Sequence, residues 1–135
     1  MSSDSDVRAI VAGHGDFAAG MVSAVAQIAG RAEQLVPLSN RDLSAQDVER
    51  LLREHVDATG VGVIFTDLPA GSCTMAARRL QRERSDLVVV TGTNLVTLLD
   101  FVFNTDAPPD EAARHAVEKG RASLVTTGGE APRGH

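Results

Sequence analysis

His14 stands between two glycines, in Gly13-His14-Gly15-Asp16-Phe17, directly after the apolar run RAIVAG. Glycines let the backbone turn sharply there and leave the imidazole unshielded. A histidine can act as a nucleophile, and a carboxylate at one ring nitrogen decides which nitrogen stays free to attack. A second loop, Asp67-Leu68-Pro69-Ala70-Gly71-Ser72-Cys73, follows the apolar run VGVIFT and offers such a carboxylate in Asp67. Asp67 could orient the ring as the aspartate of a serine-protease triad orients its histidine. Gly71 and Ser72 open a helical stretch. Unpaired backbone N–H groups and the positive end of a helix dipole suit an anion such as a phosphoryl group, and the Ser72 hydroxyl adds a donor. Nucleophile, orienting group and anion cradle are all present, with Gly13 and Gly15 at the edge.

Each residue also has a plain reading. Gly-His-Gly is only three residues, loop histidines are commonly incidental, an aspartate at a strand end often serves a turn, and serine is favoured at helix starts for capping alone. What favours chemistry is their joint placement, and that depends on the elements around them.

Four β-rich runs alternate with helical segments. The first strand covers residues 8–13, and a helix follows over 17–29, with Phe17, Met21, Val25 and Ile28 at helical spacing. A short strand spans 35–38. Ser44 reads as a helix N-cap with Asp47 completing a capping box, and that helix carries Val48, Leu51, Leu52 and His55 to Thr59-Gly60. The runs at 61–66 and 87–91 are mostly apolar rather than alternating, as strands buried on both faces tend to be. A helix from Ser72 to Arg84 separates them. Helices over 94–103 and 110–120 flank a Pro108-Pro109 turn, and Ala122–Thr126 is a candidate last strand. The expected fold is an open, doubly wound α/β domain with a parallel sheet and helices on both faces. Sites in such sheets form outside the carboxyl ends of the strands where the winding reverses. If the order is 2-1-3-4, the reversal lies between strands one and three, which deliver His14 and Asp67 to one crevice.

Composition narrows the function classes. At 135 residues the chain suits one domain, with a core about 7–126 and a frayed tail over 127–135. With four Phe and no Trp or Tyr, the core must be built from Val, Leu, Ala and Ile. Scarce aromatics and a net charge of −5 disfavour a nucleic-acid partner. The single Cys73 excludes an internal disulfide, the N-terminus lacks a basic signal-peptide region, and no apolar stretch approaches the ~20 residues of a membrane span. A cytoplasmic protein without membrane insertion is expected. No phosphate-loop or dinucleotide motif occurs, and His55 and His115 lack metal-ligand spacing, so neither metal nor cofactor is expected. Cys73 reads as a small packed residue. The Arg78–Arg84 basic run reads as a solvated helix face that could instead dock an acidic partner.

Three stretches in order, VAGHGDFAAGM, FTDLPAGSCTMAAR and TGTNLVTLLD, resemble the IIA domain of the mannose-type (mannose, fructose, sorbose) sugar phosphotransferase system. The GHG-F-AxG pattern is most similar to members serving amino sugars such as N-acetylgalactosamine. The resemblance covers most of the chain. It implies a phosphocarrier in which His14 takes a phosphoryl group from HPr and passes it to a IIB protein. Asp67 would orient His14, Gly71 and Ser72 would hold the phosphate, and Asn94 would edge the site. It also implies the strand order 2-1-3-4 and a homodimer that exchanges a fifth strand, here Ala122–Thr126. Family members read Gly-Gly-Ser-Pro where this chain has Ala70-Gly71-Ser72-Cys73, a change that bears on partner docking. No IIB sequence follows, so IIB is expected as a separate chain. Alternatives are a regulatory phosphohistidine acceptor without a transport role, a receiver-like domain phosphorylated on Asp67, and a flavodoxin-like binding module.

Overall fold

In the computed structural model, which describes residues 6–130, ten elements follow one another. Strand β1 (Ala9–Gly13) leads to α1 (Phe17–Ala29), a 3-10 turn (Ala32–Gln34), β2 (Leu35–Ser39) and α2 (Ala45–Thr59). Then come β3 (Val63–Thr66), α3 (Ser72–Glu83), β4 (Val88–Val90), α4 (Leu95–Phe103) and α5 (Pro109–Ser123). All strand pairings are parallel and the sheet order is β2-β1-β3-β4. This is the doubly wound α/β fold expected, with the expected order.

Side chains alternate across the strands, so each strand feeds two cores. Ala9 and Val11 of β1 and Val63 and Phe65 of β3 join Val25, Leu98, Phe101 and Ala113 beneath α1, α4 and α5. The intervening Ile10, Ala12 and Ile64 meet Val48, Leu52, Ala77 and Leu80 beneath α2 and α3. Phe65 and Phe101 supply the main aromatic contact, edge to face with centroids 5.0 Å apart. Alanines at 76, 77, 112, 113 and 116 are all buried. Their small size lets the helices sit close on a sheet of valines, which accounts for a dense core with so few rings.

The predicted capping box at α2 is present. Ser44 Oγ accepts from Asp47 N–H at 3.1 Å, and Asp47 Oδ2 accepts from Ser44 N–H at 3.2 Å. Two expectations change. The helix expected to stop at Gly120 runs on to Ser123, and residues 124–127 form no strand. A strand exists only against a hydrogen-bonded neighbour, and β4 pairs with β3 alone. Helix α3 opens at Ser72 as expected, with Gly71, at φ 124°, in the cap position. The expected tail overlaps the described residues only at 127–130; positions 131–135 lie outside them.

Candidate functional site

The winding reverses between β1 and β3, which lie side by side with Ala12 opposite Thr66. Two residues past that register pair comes His14 on one strand, and one residue past it Asp67 on the other. Asp67 Oδ2 accepts the His14 backbone N–H at 2.9 Å and lies 2.8 Å from His14 Nδ1. The His14 side chain is 49% exposed, whereas that of Asp67 is 11% exposed. Burial opposes ionisation of Asp67, but the hydrogen bonds from the His14 backbone and ring outweigh it and hold the carboxyl below its ordinary range. An ionised carboxylate can only accept, so Nδ1 carries the proton. In the neutral ring the free lone pair is then on Nε2.

That nitrogen faces the start of α3. A methyl built on Gly71 would lie 3.1 Å from His14 Cε1 and 3.8 Å from Nε2. Any side chain there would crowd the imidazole, and the φ of 124° already demands glycine. The first backbone bond of α3 runs from Met75 N–H to Gly71 O at 2.9 Å. The N–H groups of Ser72, Cys73 and Thr74 precede it, at the positive end of the helix. Gly13 fits as tightly from the other side: a methyl there would meet Phe17 Cδ2 at 2.6 Å and Asp67 Oδ2 at 3.0 Å. Gly15 adopts a left-handed φ of 52°, which turns the chain from His14 into α1.

The structure thus brings together His14, Asp67, Gly71, Gly13 and Gly15. Ser72 joins them through Asn40, whose amide donates to Ser72 Oγ at 2.9 Å. Asn94 is committed elsewhere. Its Oδ1 accepts from Thr97 N–H at 3.0 Å and from the Thr97 hydroxyl at 2.7 Å, capping α4, and its Nδ2 donates to Gly120 O at 2.9 Å. The asparagine therefore clamps α4 to α5. Cys73 is fully buried, and burial, helped by the Asp67 charge, pushes its thiol up to about 11. In the basic run, Arg79 lies 3.8 Å from Glu49 and Arg84 pairs with Asp57 across the α2–α3 face.

Sequence reading missed the residues that hold the two loops in place. Thr66 and Thr74, both buried, share a hydroxyl–hydroxyl hydrogen bond of 2.6 Å, and Thr74 donates to Leu68 O, so the Asp67 loop is tied to the first turn of α3. Asn40 N–H donates to Gly13 O at 3.1 Å, bringing the turn after β2 into the site. The available signal was polar residues at the carboxyl ends of inward-facing strands, where turns and caps supply many innocent uses. A second histidine–carboxylate pair also went unread. His115 Nδ1 lies 2.7 Å from Asp100 Oδ2, between α5 and α4. Among the described residues no group of His, Cys, Asp and Glu is arranged to hold a metal ion.

Fold and site together define an open α/β protein with a carboxylate-oriented histidine at its winding reversal, facing a helix N-terminus. The family model for the PTS system fructose IIA component matches residues 8–118, and the chain belongs to this mannose-type IIA family of the sugar phosphotransferase system. Solved structures agree. The phosphotransferase system component EIIA from Streptococcus agalactiae is 25% identical, with 89% of this chain and 96% of that one aligned at a TM-score of 0.81. The mannose/sorbose specific IIA subunit from Enterococcus faecalis is 20% identical over 92% and 96% of the two chains, with a TM-score of 0.77, a likeness of fold. The PTS IIA protein associated with the fucose utilization operon of Streptococcus pneumoniae, at 21% identity over 88% and 91%, gives 0.77 as well. Comparison with curated proteins finds no match. Among the described residues no helix is long and apolar enough to cross a membrane.

Proposed function

We propose that this IIA component is a cytoplasmic phosphocarrier in sugar uptake: His14 accepts a phosphoryl group from HPr and passes it to a separate IIB protein. The carrying observation is that Asp67 occupies His14 Nδ1 while Nε2 stands beside Gly71 at the start of α3. Nε2 attacks the phosphorus of the donor phosphohistidine in line, the new N–P bond forming as the donor N–P bond breaks. The ring keeps its Nδ1 proton and gains positive charge, which the Asp67 carboxylate faces. Backbone N–H groups of α3 and the Ser72 hydroxyl receive the phosphoryl oxygens. Transfer to IIB is the same step reversed, with no metal or nucleotide required.

A homodimer by strand exchange belongs to the same reading, and the two sheet edges support it. Edge strand β2 carries Pro37, which interrupts the row of donors. Edge strand β4 is three valines with neither proline nor charge. A groove of about 520 Å³ runs between β4 and α5, lined by Val89, Ala113, Val117 and Arg121 among others. Leu124 and Val125, which follow α5, are 83% and 73% exposed, as an unmated fifth strand would be.

The test is incubation with phosphoenolpyruvate, enzyme I and HPr, followed by mass measurement. The expected adduct is one phosphoryl group, labile in acid and stable in alkali, absent in His14→Ala and retained in His115→Ala. No such adduct on the wild-type chain overturns the reading. An alkali-labile adduct lost in Asp67→Asn would replace it with a receiver-type aspartyl phosphate.

A further inference from the structure

The turn after β2 forms a third wall of the site that no motif announced. It continues strand β2 beside β1, where Ser39 is in register with Gly13. Asn40 N–H donates to Gly13 O at 3.1 Å, and the Asn40 amide reaches Ser72 Oγ at 2.9 Å. Asp42 turns the chain with a left-handed φ of 61°. Between them, Arg41 extends over the His14 loop. Its Nη2 would stand 3.5 Å from a methyl built on Gly15, and it donates to Asp16 Oδ1 at 3.1 Å.

Phosphorylation of His14 would place a group of about two negative charges next to the ionised Asp67. The chain already carries a net charge of −5. Backbone dipoles at α3 answer part of this, but they are partial charges. Among the described residues, Arg41 is the cationic side chain that hydrogen-bonds to the His14 loop. Its present partner holds it loosely. Asp16 is 85% exposed and Arg41 59% exposed, so their attraction is screened by solvent. A phosphoryl group offers several oxygens to the planar guanidinium fork, a stronger acceptor than one exposed carboxylate oxygen.

We propose that Arg41 is the counter-charge of phosphorylated His14, released from Asp16 to bind the phosphoryl oxygens when the group arrives. Asp16 acts as the competing anion that parks the guanidinium beside the empty site. The inference rests on His14 being the phosphoryl acceptor. It adds a residue of this chain that sets how strongly the group is held once there.

The experiment measures the equilibrium of phosphoryl exchange between phosphorylated HPr and the full chain, read as the fraction of each protein phosphorylated on intact-mass spectra. Arg41→Ala should lower the equilibrium constant for loading about tenfold, the size of one charge-assisted hydrogen bond. Arg41→Lys should recover part of the loss, because it returns a point charge without the fork. Asp16→Asn should shift the equilibrium the opposite way, about threefold towards loading, and should do far less in an Arg41→Ala background. The Arg41→Ala loss should also shrink as ionic strength rises. Thermal midpoints of the unphosphorylated variants should stay near wild type, since both side chains are exposed.

An unchanged equilibrium in Arg41→Ala overturns the proposal while leaving His14 as acceptor. So does an Asp16→Asn effect that persists undiminished without Arg41, which would assign it to direct repulsion by Asp16. A wild-type chain that takes no phosphoryl group at all overturns the acceptor reading, and this inference with it.

Discussion

Gly120 and Gly20 are both helical glycines, yet the same substitution should move stability in opposite directions. In an exposed helix interior, Gly→Ala gains about 1 kcal/mol from backbone entropy and propensity. Gly20 in α1 is exposed, with nothing within 4 Å of an added methyl, so Gly20→Ala should show that gain as a rise of roughly 3 °C in thermal midpoint. Gly120 in α5 is buried against the start of α4. A methyl there would collide with Thr97 Oγ1 and lie 3.0 Å from Asn94 Oδ1. These atoms cannot swing away freely: Asn94 Oδ1 holds both the backbone N–H and the hydroxyl of Thr97, and Asn94 Nδ2 holds Gly120 O itself.

The cost is therefore overpacking at about 1–3 kcal/mol plus damage to an N-cap at about 1 kcal/mol. Set against the gain of about 1 kcal/mol, Gly120→Ala should destabilise by about 1–3 kcal/mol, a fall of roughly 3–9 °C for a domain of this size. Differential scanning calorimetry or urea unfolding of both variants beside wild type measures it. Equal positive shifts in the two variants would refute the reasoning, because they would mean that helix propensity alone governs Gly120 and that the Asn94 clamp yields without cost.

The remaining predictions concern the site. Asn40 donates to Ser72 Oγ, which leaves the Ser72 proton free to point at a phosphoryl oxygen. Asn40→Asp can only accept, so it should turn that proton away and lower equilibrium phosphorylation about tenfold, whereas Asn40→Ala should cost much less; equal losses would refute the hydroxyl's orientation. The Asp67 carboxyl is held below its ordinary range by His14, so its contribution to stability is present above the unfolded-state value of about 4 and is lost as pH falls through the folded one. The gap in thermal midpoint between wild type and Asp67→Asn should accordingly be widest at neutral pH and close in acid, and a gap that widens in acid would contradict it. Cys73 is buried, with its thiol pushed up to about 11. At pH 8 only about one thiol in a thousand is ionised, so iodoacetamide should label the native protein far more slowly than the urea-unfolded chain, and comparable rates would sink this account.

Legibility in the sequence followed the range of the interactions. The apolar runs that became β1 and β3 and the Ser44–Asp47 box were readable because each is decided by neighbours a few residues away. The meeting of His14 and Asp67 is a contact across 53 residues, yet it too was inferred, because topology alone brings the ends of β1 and β3 together. The partners of Asn94 were hidden for the converse reason. Its place after β4 suited a site, but its partners Gly120 and Ser123 lie on a helix whose approach no local pattern reveals. For Ser72 capping was the plain alternative to holding phosphate, and the backbone geometry at position 71, with its positive φ, gives the cap to glycine instead.

Asn40 and Arg41 escaped notice for a further reason. In a loop, an Asn-Arg-Asp run is what any solvated turn looks like. Its significance comes from β2 lying beside β1 in register, so that the residues after Ser39 emerge next to those after Gly13. Once that register is known, the turn after β2 must emerge beside the loop that carries His14. The site is then bounded on three sides, by the ends of β1, β3 and β2. An arginine on the β2 side would complement the backbone donors of α3 around a phosphoryl group proposed on Nε2. That placement is why Arg41, rather than any residue of the basic run on α3, should govern how tightly the phosphoryl group is held.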